Sequence, residues 1–305
     1  MDWLGIPELL AALGPTGLPW LAGLFGLLVG SFLNVVIHRL PRMMQQDAEQ
    51  EAREILALDA SPDAPTLVAP PRFNLLTPRS RCPACGTAIA ARHNLPLVSW
   101  LWLRGRCASC AAPIGVRYPL VELLTGVAFA LVAWRCGATP ETLYGCLVAA
   151  LLIAMSGIDL DTQLLPDSLT YPLLWTGLLA AVWSGRGTAP FPVTPVDAIL
   201  GAARGYLVLW TVFWVFRLVT GKEGMGRGDF KLLAALGAWL GWVAIPLVVL
   251  LSSLVGALVG GFLILFRGRD RQVPIPYGPY LAAAGFIALL WGPDIIAWYR
   301  DLARL

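Results

Sequence analysis

The sequence predicts an all-α polytopic membrane protein of about eight transmembrane helices, with a cytoplasmic zinc-ribbon insert between the first two. Three observations carry this. The 305 residues are 57% hydrophobic and 13% charged, with a mean hydropathy of +0.69, far from the soluble globular range. The apolar residues fall in runs approaching the ~20 that cross a bilayer. Between the first two runs stand four cysteines in two C-x-x-C pairs, a metal-ligand spacing.

The first span covers 18–38. No Lys or Arg precedes it, and the first basic residue, Arg39, follows it. A cleavable signal peptide has the opposite order, so the span is expected to be a retained anchor with its N-terminus outside the cytoplasm. Further spans are expected at 118–135, 140–158, 168–184, 196–219, 231–244, 246–266 and 279–298. Gly241 and Pro246 barely separate the 231–244 run from the next. Eight crossings leave both termini outside. The charges agree: segments 39–117, 217–231 and 267–271 hold seventeen Lys and Arg, against Arg135, Arg186, Arg300 and Arg304 opposite, as the positive-inside rule requires.

The chain therefore divides into an N-terminal region with the first helix (1–38), a cytoplasmic insert (39–117) and a membrane domain (118–305). Within the insert, 43–59 reads as a helix of strong helix formers. Residues 60–71 carry Pro62, Pro65, Pro70 and Pro71 and read as a linker. Residues 72–117 form a basic module with seven Arg and no Asp or Glu. No chemistry is attached to 43–71.

Cys82 and Cys85 are separated from Cys107 and Cys110 by 21 residues. Four such thiolates suit a tetrahedral structural Zn²⁺, closed to any catalytic water. Gly86 and Pro113 help shape the knuckles. The competing reading is two unrelated thiol pairs or a redox motif, but disulfides rarely persist in the cytoplasm. A basic ribbon can bind nucleic acid; membrane tethering points away from that, and no nucleic-acid partner is expected. Cys136 and Cys146 lack ligand spacing and read as small apolar residues. His93 reads as a surface residue.

Carboxylates at the edge of hydrocarbon are expensive and usually functional. Asp159 lies in Ile158-Asp159-Leu160-Asp161, and Asp229 in Gly224-Met225-Gly226-Arg227-Gly228-Asp229. Two crossings separate them, so both fall on the cytoplasmic face. Paired there, they can share a proton: one acts as base toward water while the other donates to a scissile carbonyl. The pair titrates as a unit. Gly226 and Gly228 let backbone approach a substrate. Helix capping is the bland reading of a single Asp; it is favoured for Asp167, and Asp161 is not expected to be a main catalyst.

At these residues the chain closely resembles the bacterial type IV prepilin peptidases, the leader peptidases and N-methyltransferases of type IV pilus and type II secretion systems. The resemblance runs from Gly30-Ser-Phe-Leu-Asn34 through His38-Arg39-Leu-Pro41, the Cys82–Cys110 module and Arg117-Tyr-Pro-Leu-Val-Glu122. It continues over Ile158-Asp159 to Leu165-Pro166-Asp167, Gly226-Arg227-Gly228-Asp229-Phe-Lys231 and Pro274-Ile-Pro276-Tyr-Gly278-Pro279. It implies cleavage of the basic leader of prepilins and pseudopilins after a glycine, on the cytoplasmic side of the bacterial inner membrane. It also implies N-methylation of the new N-terminus with S-adenosylmethionine. By motif position the catalytic pair is Asp159 and Asp229, and the metal ligands are Cys82, Cys85, Cys107 and Cys110. Arg227 departs from the neutral or aromatic residue common at its position.

Asn34, His38 and Glu122 are candidates for the methyl-transfer region, where no Gly-rich nucleotide loop stands. Substrate contacts are assigned to Glu122, Gly226, Gly228 and Lys231. Two alternatives stay open: a peptidase without methyl transfer, and a proton-coupled transporter. The latter predicts carboxylates deep within spans and inverted repeats. Partners implied by the resemblance are the prepilin and pseudopilin substrates, with the lipid bilayer around the spans; oligomeric state is open.

Overall fold

A computed structural model describes residues 14–58, 73–184, 193–267 and 275–303. The linker read over 60–71, together with Arg186, Arg269, Arg271, Pro274 and Arg304, lies outside the described residues. Among those described, regular structure is helical apart from two isolated β-bridges. Eight main helices are α1 Gly14–Leu58, α2 Arg117–Cys136, α3 Pro140–Thr162, α4 Asp167–Ser184, α5 Pro195–Thr220, α6 Arg227–Leu240, α7 Ile245–Arg267 and α8 Gly278–Ala303. Six of them (α1, α2, α3, α5, α7 and α8) contain stretches long and apolar enough to cross a membrane. The 18-residue α4 and the 14-residue α6 occupy the other two predicted positions.

Two boundaries differ from expectation. The first span and the 43–59 helix are one 45-residue rod, α1. It runs through Pro41, whose missing N–H removes one intrahelical bond, without ending there. The run expected at 231–244 is instead α6 at Arg227–Leu240. Gly241, at φ 72°, stops it, and a short 3₁₀ turn over Trp242–Ala244 follows. The earlier start places Asp229 in the first turn of α6 and Lys231 just beyond it.

The chain forms two compact units: residues 27–124, and the remainder. In the larger unit α6 is the centre, packing against α5, α4 and α8. Ten of its 14 residues are buried, and at ~1.5 Å per residue it is about 21 Å long, so it is a core helix walled by other helices. Lipid is as apolar as leucine, so such packing depends on close van der Waals fit. Glycine supplies that fit between α5 and α6. A Cβ on Gly201 would fall on the Gly237 carbonyl, and one on Gly205 would lie 2.5 Å from the Leu233 carbonyl oxygen. Around this seam Leu173, Phe213, Phe230, Leu232, Leu236 and Leu281 form the core. Trp239 ends it, donating its Nε1–H to the Leu173 carbonyl at 2.8 Å.

In the smaller unit the buried Arg39 of α1 holds the chain beyond the linker. Its guanidinium donates to the carbonyls of Asn74 at 2.9 Å and Pro78 at 2.6 Å, and it lies 5.6 Å over the Phe73 ring. Asn34 Nδ2 donates to the Tyr118 carbonyl at 3.0 Å, joining α1 to the start of α2.

Candidate active site and metal centre

The last turn of α3 carries Asp159. The chain then leaves the helix at Gln163, which takes a left-handed φ of 55° and returns its N–H to the Asp159 carbonyl at 2.9 Å. Asp159 is only 5% exposed, and its Oδ2 accepts the backbone N–H of Gly278 at 3.0 Å. Gly278 is the first residue of α8, where unpaired N–H groups and the helix dipole favour an anion. A Cβ on Gly278 would lie 2.6 Å from Asp159 Oδ2, so a side chain there would displace that carboxylate.

Asp229 occupies the first turn of α6, equally buried at 5%. The Asp159 carboxylate is close enough to act on it electrostatically. Three helix ends thus meet: the C-terminus of α3 and the N-termini of α6 and α8. Two buried carboxylates that feel each other's charge cannot both ionise easily, which suits them to share one proton. Neither sits mid-span, in contrast to what the transporter reading predicts.

Glycines at 224 and 228 are required by proximity rather than by left-handed backbone. A Cβ on Gly224 would meet the Phe216 ring at 2.6 Å, and one on Gly228 would meet Leu165 Cβ at 2.7 Å. Gly226 precedes α6 with extended backbone (φ −74°, ψ 145°), and its carbonyl accepts the Asp229 N–H at 3.3 Å.

Lys231 is engaged elsewhere. Its Nζ lies 2.7 and 2.8 Å from the two Asp167 oxygens and 5.4 Å from the Tyr171 ring centre. Asp167, expected as a cap, is the first residue of α4. The preceding Pro166 carbonyl accepts the Thr170 N–H at 3.0 Å, so Pro166 holds the capping place.

Glu122, in α2, is buried and belongs to the smaller unit. Its Oε2 accepts the N–H of Leu97 at 2.8 Å. Leu97 has a left-handed φ of 58° and opens the short helix Val98–Trp102, so Glu122 braces a strained turn. His38 is exposed on α1.

The four cysteines come together. The Sγ atoms of Cys82, Cys85, Cys107 and Cys110 all lie within 4.8 Å of one another, with Cys82 and Cys110 3.8 Å apart. A tetrahedron with Zn–S bonds of ~2.3 Å has S···S edges of ~3.8 Å. The cluster is therefore dimensioned for a metal ion such as zinc. His93 and the other two cysteines are not part of it.

Each pair sits on a knuckle, and the two knuckles repeat one geometry. The N–H of Gly86 donates to the Cys82 carbonyl at 2.9 Å, and that of Ala111 to the Cys107 carbonyl at 3.0 Å. The bridges Arg81–Ala88 and Arg106–Pro113 flank them. Gly86 and Ala111 both have positive φ, 69° and 57°. Glycine signals the first; the alanine at the equivalent place in the second gives no such signal. Hydrogen bonding to Thr87 brings the Cys85 thiol down to about 6 and the N–H groups of Cys110 and Ser109 bring Cys107 down, while the neighbouring sulfurs push Cys110 up to about 12, so without a cation the four do not ionise together. Thiolates are the form that binds metal.

A shallow groove of about 380 Å³, lined by Ile287, Trp291, Asp294, Ile295 and Trp298, lies along α8 well past Gly278. Its largely apolar lining offers no acid–base chemistry.

Two family descriptions match the chain: "Bacterial Peptidase A24 N-terminal domain" over residues 24–136 and "Type IV leader peptidase family" over residues 146–261. Curated relatives agree. A protein of Aeromonas hydrophila named "Prepilin leader peptidase/N-methyltransferase" is 55% identical, covering 93% of this chain and 95% of its own length. Proteins of the same name from Stutzerimonas stutzeri (54%; 92% and 93% covered) and Pseudomonas aeruginosa (53%; 92% of each) are similarly close. No solved structure matches.

Proposed function

The chain belongs to the type IV leader peptidase family, and from that premise we propose how its residues perform the reaction. It is a membrane aspartyl endopeptidase that removes the basic leader of prepilins and pseudopilins after a glycine, and it N-methylates the new N-terminus. The observation that carries the peptidase reading is the meeting of Asp159 and Asp229, both 5% exposed, at three converging helix ends.

One carboxylate of the pair takes a proton from water as the water attacks the scissile carbonyl. The other donates its proton to the carbonyl oxygen, and the roles exchange as the amine leaves. The Gly278 N–H holds Asp159 Oδ2 in place, so reorientation costs little at the moment of reaction. Gly226 and Gly228 carry no side chain, and extended substrate approaches the backbone there. Lys231 and Glu122 brace their own regions, through Asp167 and the Leu97 N–H.

The four cysteines hold a structural Zn²⁺; a closed sulfur shell gives no position for a reacting water. S-adenosylmethionine supplies the methyl group, as the family resemblance implies. Functionally the chain divides into 1–38, the metal-bearing insert 39–117, and the aspartyl protease domain 118–305. The aspartate pair faces the cytoplasm from the bacterial inner membrane, with the basic segments on the same side.

The test is intact-mass analysis of a prepilin incubated with the purified protein and S-adenosylmethionine. Loss of the leader plus one methyl increment is expected. Leader loss without the increment removes the methyl-transfer half of the reading; an unchanged substrate with folded enzyme overturns it.

A further inference from the structure

We propose that the Lys231–Asp167 ion pair is a positioning strap that sets the separation of the Asp159 and Asp229 carboxylates. The inference rests on the reading of those two residues as the catalytic pair, and it assigns Lys231 a role distinct from substrate binding.

The geometry shows how such a strap works. Asp159 ends α3, and the turn Gln163–Pro166 hangs from its own backbone through the Gln163 N–H bond of 2.9 Å. Asp229 stands in the first turn of α6. These two segments touch at two places. Leu165 packs against Gly228 so closely that a Cβ there would lie 2.7 Å from Leu165 Cβ. Two residues on, Asp167 receives the Lys231 ammonium at 2.7 and 2.8 Å. One contact alone leaves a pivot; a second contact, two or three residues further along both segments, removes the rotation. Leu165 also reaches towards Gly278, where a Cβ would lie 3.3 Å from Leu165 Cδ1. The wedge that the strap holds therefore bears on all three helix ends.

Lys231 is poorly placed to act on the reaction by charge. Residues two apart on a helix point about 200° apart, so its side chain leaves α6 on nearly the opposite side from Asp229. The ammonium also rests beside the Tyr171 ring, one turn along α4 from Asp167. Lys231 and Asp167 are 33% and 48% exposed, and ion pairs that open to water add little to stability. The effect falls on geometry, where a misplacement of about 1 Å costs on the order of 10²-fold in rate.

The experiment is a charge-reversal cycle on the purified full-length protein, with turnover and KM measured on a prepilin and the unfolding midpoint alongside. Lys231→Met and Asp167→Asn are each expected to lower turnover by roughly 10- to 100-fold, with KM and the midpoint unmoved. The double variant is expected to be no slower than either single one. The swapped pair Asp167→Lys/Lys231→Asp is expected to recover much of the loss, and Lys231→Arg to retain activity. Losses that multiply in the double variant, or a raised KM at full turnover, overturn the strap. If a single variant misfolds, the swapped pair decides: failure to recover turnover while folded also overturns it. An inactive wild type instead sinks the catalytic reading. An active wild type with a dead Asp229→Asn and normal strap variants removes the strap alone.

Discussion

The central helix α6 and the four-cysteine module solve opposite problems. In α6, ten of 14 residues are buried, and Asp229 is held by the surrounding helices. In the module, among residues 73–116 whose exposure is described, only Cys82, Pro96, Ser99 and Gly105 are buried. So small an apolar core cannot offset the entropy of ordering the chain. Four sulfurs at metal-binding distance take its place. The difference teaches that buried polarity serves chemistry where the core is already sufficient, while metal binding serves folding where there is hardly a core.

The largest effect should come from breaking the module. Structural zinc contributes apparent binding of about 10–16 kcal/mol to folding in zinc-finger peptides. Chelation, or Cys82→Ser, is expected to release the metal and open 73–116 to proteolysis while the thermal transition of the helical core persists. Elemental analysis and limited digestion check this; equal digestion with and without chelator breaks the comparison.

Next comes the aspartate pair. Asp159→Asn and Asp229→Asn are each expected to reduce leader cleavage by about 10²–10⁴-fold or more, with helical circular dichroism unchanged. Near-normal cleavage by either variant removes that residue from the mechanism.

Gly278→Ala sharpens the contrast between packing and chemistry. The added methyl would lie 2.6 Å from Asp159 Oδ2, so turnover should fall by roughly 10²-fold at a nearly unchanged unfolding midpoint. A large shift in the midpoint would make Gly278 a folding residue instead.

The smallest effect belongs to Arg135→Gln. Its ion pair with Asp294 is 42% and 59% exposed, and such pairs contribute about 0–1 kcal/mol. Denaturant titration should barely register it.

Much of this was legible in the sequence because hydrocarbon imposes a length on apolar runs and makes stray carboxylates conspicuous. The helices and the two aspartates rest on such signals and the cysteine quartet on its paired spacing, and the structure gathers the four sulfurs within 4.8 Å. The start of α6 was misread because the apolar pattern begins after Asp229, while the helix begins at Arg227. The continuity of α1 was hidden by the charged stretch after Arg39 and by Pro41. Gly201 and Gly205 carried a readable small-xxx-small signal for close helix approach. The Lys231–Asp167 pair did not: 64 residues separate the partners, and nothing local to either one names the other. Glu122 likewise reads as an interfacial carboxylate until its bond to Leu97 is seen.

The Gly278 N–H on Asp159 also orders events during biosynthesis. When Asp229 has just been synthesised, the chain already holds both carboxylates, yet forty-eight residues must be added before Gly278 follows. A nascent chain at that stage lacks the donor that orients Asp159 and the last helix that closes the site. Chains cut short before Gly278 are accordingly expected to be inserted yet inert in a cleavage assay. Proteolytic competence is thus expected to arrive with the insertion of α8.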